Sequence, residues 1–150
     1  MSQDMFVRFL LTGSLDEVAI GWTDGAVQER FGPPPEVTRL RRGMSLWAYG
    51  GRVVQVTLQR NRVVLIGIYL QYASAVSADL LGGGVPLPPK TDRPMLTRQL
   101  EAWHVRFRDS HEWPGAYEVG DAGVHALFGE DEMLESFQVA LRTRPGRLRR

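Results

Sequence analysis

Apolar positions in this chain switch between a helical and a strand-like period, and the switch points carry cap and turn residues. From Ser2 to Leu11, Met5, Phe6, Phe9 and Leu10 fall on one helical face, with Ser2 placed to cap it and Gly13 to end it. A first helix is expected there. Residues 14–22 are ambiguous, since Leu15, Val18, Ile20 and Trp22 alternate loosely and fit a loop as well as a short strand. Thr23 is a good N-cap, Asp24 favours the positive end of a helix, and Ala26, Val27 and Phe31 make an inner face. Gly32 suits the left-handed stop, and Pro33 to Pro35 forbid continuation. Such a helix has only about two turns, so tertiary packing must hold it.

Beyond a basic loop holding Arg39, Arg41 and Arg42, the period becomes two. Ser45 to Tyr49 reads as a strand, and Gly50-Gly51 as a turn. In Arg52 to Gln59, Val54, Val56 and Leu58 alternate with Gln55, Thr57 and Gln59, the pattern of a half-buried antiparallel strand. Arg60-Asn61 is a tight turn, and Arg62 to Leu70 is apolar on both faces, as a central strand should be. Gly67 interrupts that strand and predicts a bulge or a close helix crossing.

The second half reads similarly. Pro94 can sit in the first turn of a helix containing Met95, Leu96, Leu100 and Trp103. Val105 to Phe107 follows as a strand. Ala116 to Val119, Gly123 to Phe128 and Met133 to Leu141 come after it as a three-strand run, with residues 129–132 turning the last hairpin. Counting the main runs, each half is helix, strand, strand, strand. The expected fold class is α+β: antiparallel sheet, one or two, covered on one face by short helices, in two similar α-β-β-β halves. The corresponding organisation is an N-terminal half over 1–72, a linker over 73–93, a C-terminal half over 94–141 and a basic, disordered tail over 142–150. The triple glycine Gly82 to Gly84 lacks the Gly-Lys-Ser/Thr continuation of a phosphate loop, which leaves the linker reading.

Composition narrows the chemistry. With 43% apolar and 23% charged residues the 150-residue chain is globular in character. It has no cysteine, so disulfides, thiolate metal sites, a thiol nucleophile and a lipid-anchoring cysteine are all excluded. No signal peptide and no membrane-length apolar run is read, so a cytoplasmic location and no membrane partner are expected. The net charge of +1 gives no global field for nucleic acid. Arginine is nonetheless concentrated in the 39–42 loop and in the tail, at Arg142, Arg144, Arg147, Arg149 and Arg150.

The stretch from Gly21 to Tyr49, followed by a hairpin ending in Val-Val-Leu-Ile-Gly-Ile, resembles the SmpA/OmlA-type and β-lactamase-inhibitor-type module. The matching residues are Gly21, Thr23, Val27, Phe31, Gly32, Pro34, Trp47 and Tyr49. The resemblance implies a helix-on-sheet fold whose members mostly bind other proteins rather than catalyse. The lipidated N-terminal cysteine of the lipoprotein members is missing, so membrane attachment and an assembly role do not carry over. The two-module layout is similar to the inhibitor type, and to small bacterial immunity-type proteins that neutralise secreted toxins.

Candidate chemistry is sparse. No G-x-S-x-G or zinc-protease spacing occurs, and the acids at 130–132 read as a solvated turn. His125 reads as a satisfied or exposed strand histidine. The expected function is therefore a non-enzymatic protein-binding module, an inhibitor or immunity-type protein, with no catalytic residue, cofactor or metal. Its partner contacts would come from Arg39, Arg41, Arg42, Glu112 and Trp113, the last a loop tryptophan beside a charge. The alternative is a small-molecule binder or enzyme using Glu101, His104 and His111; Glu101 and His104 have the spacing of a carboxylate–histidine pair on one helix face. Nucleic acid ranks last, because neither arginine cluster is interleaved with aromatics.

Overall fold

A computed structural model describes residues 1–72 and 85–141. The Gly82–Gly84 run, most of the expected linker and the five tail arginines lie outside the described residues. Three helices, α1 (Gln3–Thr12), α2 (Asp24–Phe31) and α3 (Arg93–Ala102), accompany eight strands. These are β1 (Glu36–Arg39), β2 (Met44–Tyr49), β3 (Val54–Gln59), β4 (Arg62–Tyr69), β5 (Phe107–Asp109), β6 (Tyr117–Val119), β7 (Val124–Phe128) and β8 (Leu134–Ala140). All eight form one antiparallel sheet in the order β1-β2-β3-β4-β8-β7-β6-β5. The fold is α+β, and the question of one sheet or two is settled by β4 pairing with β8.

The helices start where their caps place them. Ser2 Oγ accepts from the Met5 N–H, Thr23 Oγ1 from Ala26 and Asp92 Oδ1 from Met95, each satisfying a donor the first turn leaves free. Gly13, at φ 76°, closes α1 with its N–H on the Phe9 carbonyl. The residues before α2, left ambiguous by their spacing, make a small hairpin in which Leu15 and Val18 exchange both backbone hydrogen bonds and are fully buried.

Two halves of like construction meet at the central pair. In each, a helix cap bridges to the start of the half's last strand: Thr23 to Arg62, and Asp92 to Met133 next to β8. In each, the last hairpin is irregular at one place, between Thr57 and Leu58 in one half and between Leu127 and Phe128 in the other. Each half has four strands, where the sequence runs showed four in the second half and three in the first. The extra strand of the first half, β1, is Glu-Val-Thr-Arg, exposed at every position, so no apolar alternation announces it. Backbone pairing with β2 alone defines it. In the second half the strand expected at Val105 begins at Phe107, because the Val105 N–H is spent on the Leu100 carbonyl at the end of α3.

One face of the sheet carries the core. Trp47, Tyr49, Val54, Val56, Leu58, Ile66, Ile68, Phe137 and Val139 alternate onto it and are buried with Phe6, Phe9 and Leu10 of α1, Val27 and Phe31 of α2, and Leu96 and Leu100 of α3. Helix and sheet are joined there by edge-to-face rings, Phe6 on Phe137 at 5.3 Å and Phe31 on Tyr49 at 5.3 Å, and by the Tyr49 hydroxyl donating to the Gly32 carbonyl at 3.1 Å. Arg93 pins the start of α3 to the second half. Its guanidinium lies 4.1 Å from the Phe128 ring and donates to Glu132 Oε1 at 2.7 Å and to the Gly115 carbonyl at 2.6 Å. Beyond the undescribed segment, Val85 and Leu87 pack on the core and Thr91 is buried, its hydroxyl donating to the Pro88 carbonyl. This part of the expected linker is therefore anchored.

Candidate functional site

The residues one position along each strand face the other way. On this second face stand Leu46 and Ala48 of β2, Gln55 and Thr57 of β3, Leu65, Gly67 and Tyr69 of β4, Ser136 and Gln138 of β8, His125 and Leu127 of β7, Glu118 of β6 and Arg108 of β5. Leu46, Gln55, Leu65, Tyr69, Leu127 and Gln138 are half-exposed. The middle of the face is thus uncharged, with leucines among amides and hydroxyls. Its charges lie toward the two edges: Glu36 with Arg52 on one side, Arg108 with Glu118 on the other, at 2.9 and 3.0 Å.

Gly67 belongs to this face, and its role is neither a bulge nor a helix crossing. A Cβ there would stand 2.5 Å from Tyr69 Cε1, so the glycine is the floor under the Tyr69 ring. Burial, with a smaller contribution from Tyr72, pushes the Tyr69 phenol above its ordinary range.

At the β5–β7 side the loop 110–116 leans on the sheet. Ser110 Oγ accepts from the N–H groups of Glu112 and Trp113, and Ala116 closes the loop with its N–H on the Trp113 carbonyl. This geometry sets Trp113, 53% exposed, with its ring 6.5 Å from that of His125. It also sets Glu112 Oε1 3.8 Å from His125 Nε2. His125 Nδ1 lies 3.1 Å from the Gly123 carbonyl, which can only accept, so Nδ1 carries the proton. In the neutral ring the buried Nε2 is then a lone pair facing a carboxylate, without a hydrogen-bond partner among the described residues. Glu118 stands opposite His125 in register, on the same face.

The sequence-derived candidates separate. Glu112 and Trp113 join the face. Trp113 does not fold into the core. Arg39 ends strand β1 rather than sitting in a loop, and Arg41 and Arg42 form the tip of the β1–β2 hairpin, away from His125 at the far side of the sheet. Glu101, His104 and His111 are exposed, and none of their side chains makes a hydrogen bond or ion pair among the described residues. Glu101 and His104 share only a backbone bond, His104 N–H to the Glu101 carbonyl, with His104 at φ 60° in the turn that ends α3. No group of three or more His, Asp or Glu among the described residues could hold a metal ion. His125 is the histidine that spacing undervalued. The usable signal was local: Val124 and Ala126 alternate inward on β7, which turns His125 to the opposite face.

No protein-family model matches the chain, and no curated protein matches it. Among solved structures, a cysteine-rich secretory protein from Staphylococcus aureus subsp. aureus Mu50 matches with a TM-score of 0.40 and 11% identity, over 82% of this chain and 43% of that one. This chain therefore spans less than half the length of that neighbour. No helix among the described residues is long and apolar enough to cross a membrane.

Proposed function

We propose that this protein is a non-enzymatic binding module, of inhibitor or immunity type, that seats a folded protein partner on the second face of its sheet. The observation that carries the reading is the arrangement of that face. An uncharged centre of Leu46, Leu65, Leu127 and neighbouring amides is flanked by charged pairs and by the exposed Trp113. Charge depleted at the centre, polar groups at the rim and an aromatic anchor are the composition of protein interfaces. Size argues the same way. Eight strands about 4.8 Å apart and about five residues long give a patch on the order of 600 Å², close to the ~800 Å² per partner of a standard interface. A small ligand would instead want a concave pocket with convergent polar groups.

Candidate partners are the products of neighbouring genes, tested by titration calorimetry of the full chain against each purified product. Binding should be lost in Leu65→Asp and in Trp113→Ala, while the unfolding free energy of Trp113→Ala stays within about 0.5 kcal/mol of the parent, as for an exposed loop side chain. A partner that binds both variants as tightly as the parent, or a small molecule bound instead of any protein, would overturn the reading.

A further inference from the structure

The β1 edge poses a separate question, independent of the second face. Among the described residues β1 pairs with β2 on one side and has no strand on the other. The Leu40 N–H donates to the Met44 carbonyl, so Leu40 and Met44 are a bonded pair. With the register Thr38↔Leu46 and Glu36↔Ala48, alternation makes those pairs bonded too. The N–H and C=O groups of Val37 and Arg39 are then the ones that point out of the sheet. This edge also holds two of the large apolar side chains that the fold leaves outside, Val37 at 50% and Leu40 at 44% exposure.

The charge here is equally unspent. Arg30, Arg52, Arg93, Arg106 and Arg108 each hold a carboxylate. Arg39, Arg41 and Arg42 hold none among the described residues. Neither does Arg60, whose turn is brought beside the hairpin by its N–H on the Gly43 carbonyl at 3.4 Å. Arg42 stands at φ 58°, a conformation that asparagine or glycine would adopt at lower cost. The one acid of the strand, Glu36, is at the opposite end and is already held by Arg52 at 2.9 Å.

We infer that the β1 edge is a strand-addition site for an extended acidic segment of a partner polypeptide. The outward groups of Val37 and Arg39 pair with its backbone, Val37 takes its apolar side chains on one face, and Arg39, Arg41, Arg42 and Arg60 hold its carboxylates. A polypeptide backbone matches the spacing of donors and acceptors along a strand, whereas a sugar–phosphate chain does not. The two aromatic rings of the hairpin, Trp47 and Tyr49, are buried at 8% and 1% exposure, so neither offers a face on which a base could stack. Edge strands are commonly guarded by charge and proline against self-pairing, and Pro33 to Pro35 lead directly into this one. Guarding alone would give an edge that repels every added strand.

The test uses fluorescence anisotropy of the full chain with a labelled Glu/Val-alternating octapeptide, the same peptide with N-methylated backbone, its Lys/Val counterpart, and a single-stranded thymidine 16-mer. The acidic peptide should bind, weaken with salt, and lose about tenfold in affinity in Arg41→Glu/Arg42→Glu. Val37→Pro removes one outward N–H that the fold does not use and should also cost about tenfold. Should that variant fold poorly, the N-methylated peptide reports the same bond on the unaltered protein. No binding of the acidic peptide, equal binding of its N-methylated or lysine form, or preference for the oligonucleotide would each overturn the inference, and the first outcome would leave charge and proline as guards only.

Discussion

On the helix side of the sheet, Val54, Ile66, Ile68 and Phe137 are buried to 2% exposure or less. One residue along the same strands, Gln55, Leu65, Tyr69 and Gln138 are half-exposed. Backbone and register are shared, so the difference is entirely in the side chains and in what covers them. The helix side is closed by rings and branched aliphatics from α1, α2 and α3 that fit nothing else. The second side carries half-buried leucines and the amides of Gln55 and Gln138, between which Thr57 and Ser136 are themselves buried at 6% and 2% exposure. Packing is thus divided unequally between the faces, and substitutions should tell them apart.

The largest effect is expected at Phe137, fully buried and edge-to-face with Phe6 at 5.3 Å. Phe137→Ala should cost about 3–5 kcal/mol, as transfer and cavity terms add. Urea unfolding followed by circular dichroism measures it. A cost under about 1 kcal/mol would break the comparison, since the helix side would then be no more closely packed than the other.

A polar atom on the covered face gives the next test. The Tyr49 hydroxyl donates to the Gly32 carbonyl, and burial pushes its phenol up to about 12. The folded value lies above the unfolded one, near ~10. The folded state therefore keeps a proton that the unfolded chain gives up. This contribution is fully present below pH ~10 and is lost as pH rises through about 12. Tyr49→Phe should cost about 1 kcal/mol at neutral pH, the net worth of one hydrogen bond. It should also make the alkaline decline of the urea midpoint shallower. An unchanged decline would show that Tyr49 is not sealed from solvent.

How much of this division could be read from the sequence depended on whether a residue's task was local or distant. Caps and stops act within one turn, so Ser2, Thr23, Gly13 and Gly32 announced α1 and α2 at their observed ends. The alternation in Val54 to Leu58 likewise named the face that would be buried. What escaped was set by pairing between distant segments. β1 exists because Glu36–Arg39 lies against β2, and four exposed residues carry no trace of that. The place of His125 on the second face escaped for a related reason. Glu112 and His125 are separated by two strand changes, and only the β6–β7 pairing and the Ser110-held loop bring them to 3.8 Å. Glu101, His104 and His111 looked suggestive because they are close in sequence, yet the end of α3 and the following loop leave them exposed.

The smallest effect is expected at Gly67, and it sharpens the comparison most directly. On the helix side an added methyl would meet packed atoms that cannot yield. Here a Cβ meets the far end of the Tyr69 ring at 2.5 Å, a side-chain tip rather than backbone, and Tyr69 is half-exposed. Replacing glycine also lowers the entropy of the unfolded chain, worth roughly 0.4–1 kcal/mol in the opposite direction. The two terms nearly cancel, so Gly67→Ala should change stability by less than about 1 kcal/mol. The ring's displacement should still be visible, because burial is the main cause that holds the Tyr69 phenol above its ordinary range. Ultraviolet titration of the parent and the variant should find one tyrosine moved down toward that range in Gly67→Ala, with Tyr49 unmoved. A destabilisation of several kcal/mol with no tyrosine shifted would mean that Tyr69 is pinned from above, and that this face is closed like the other.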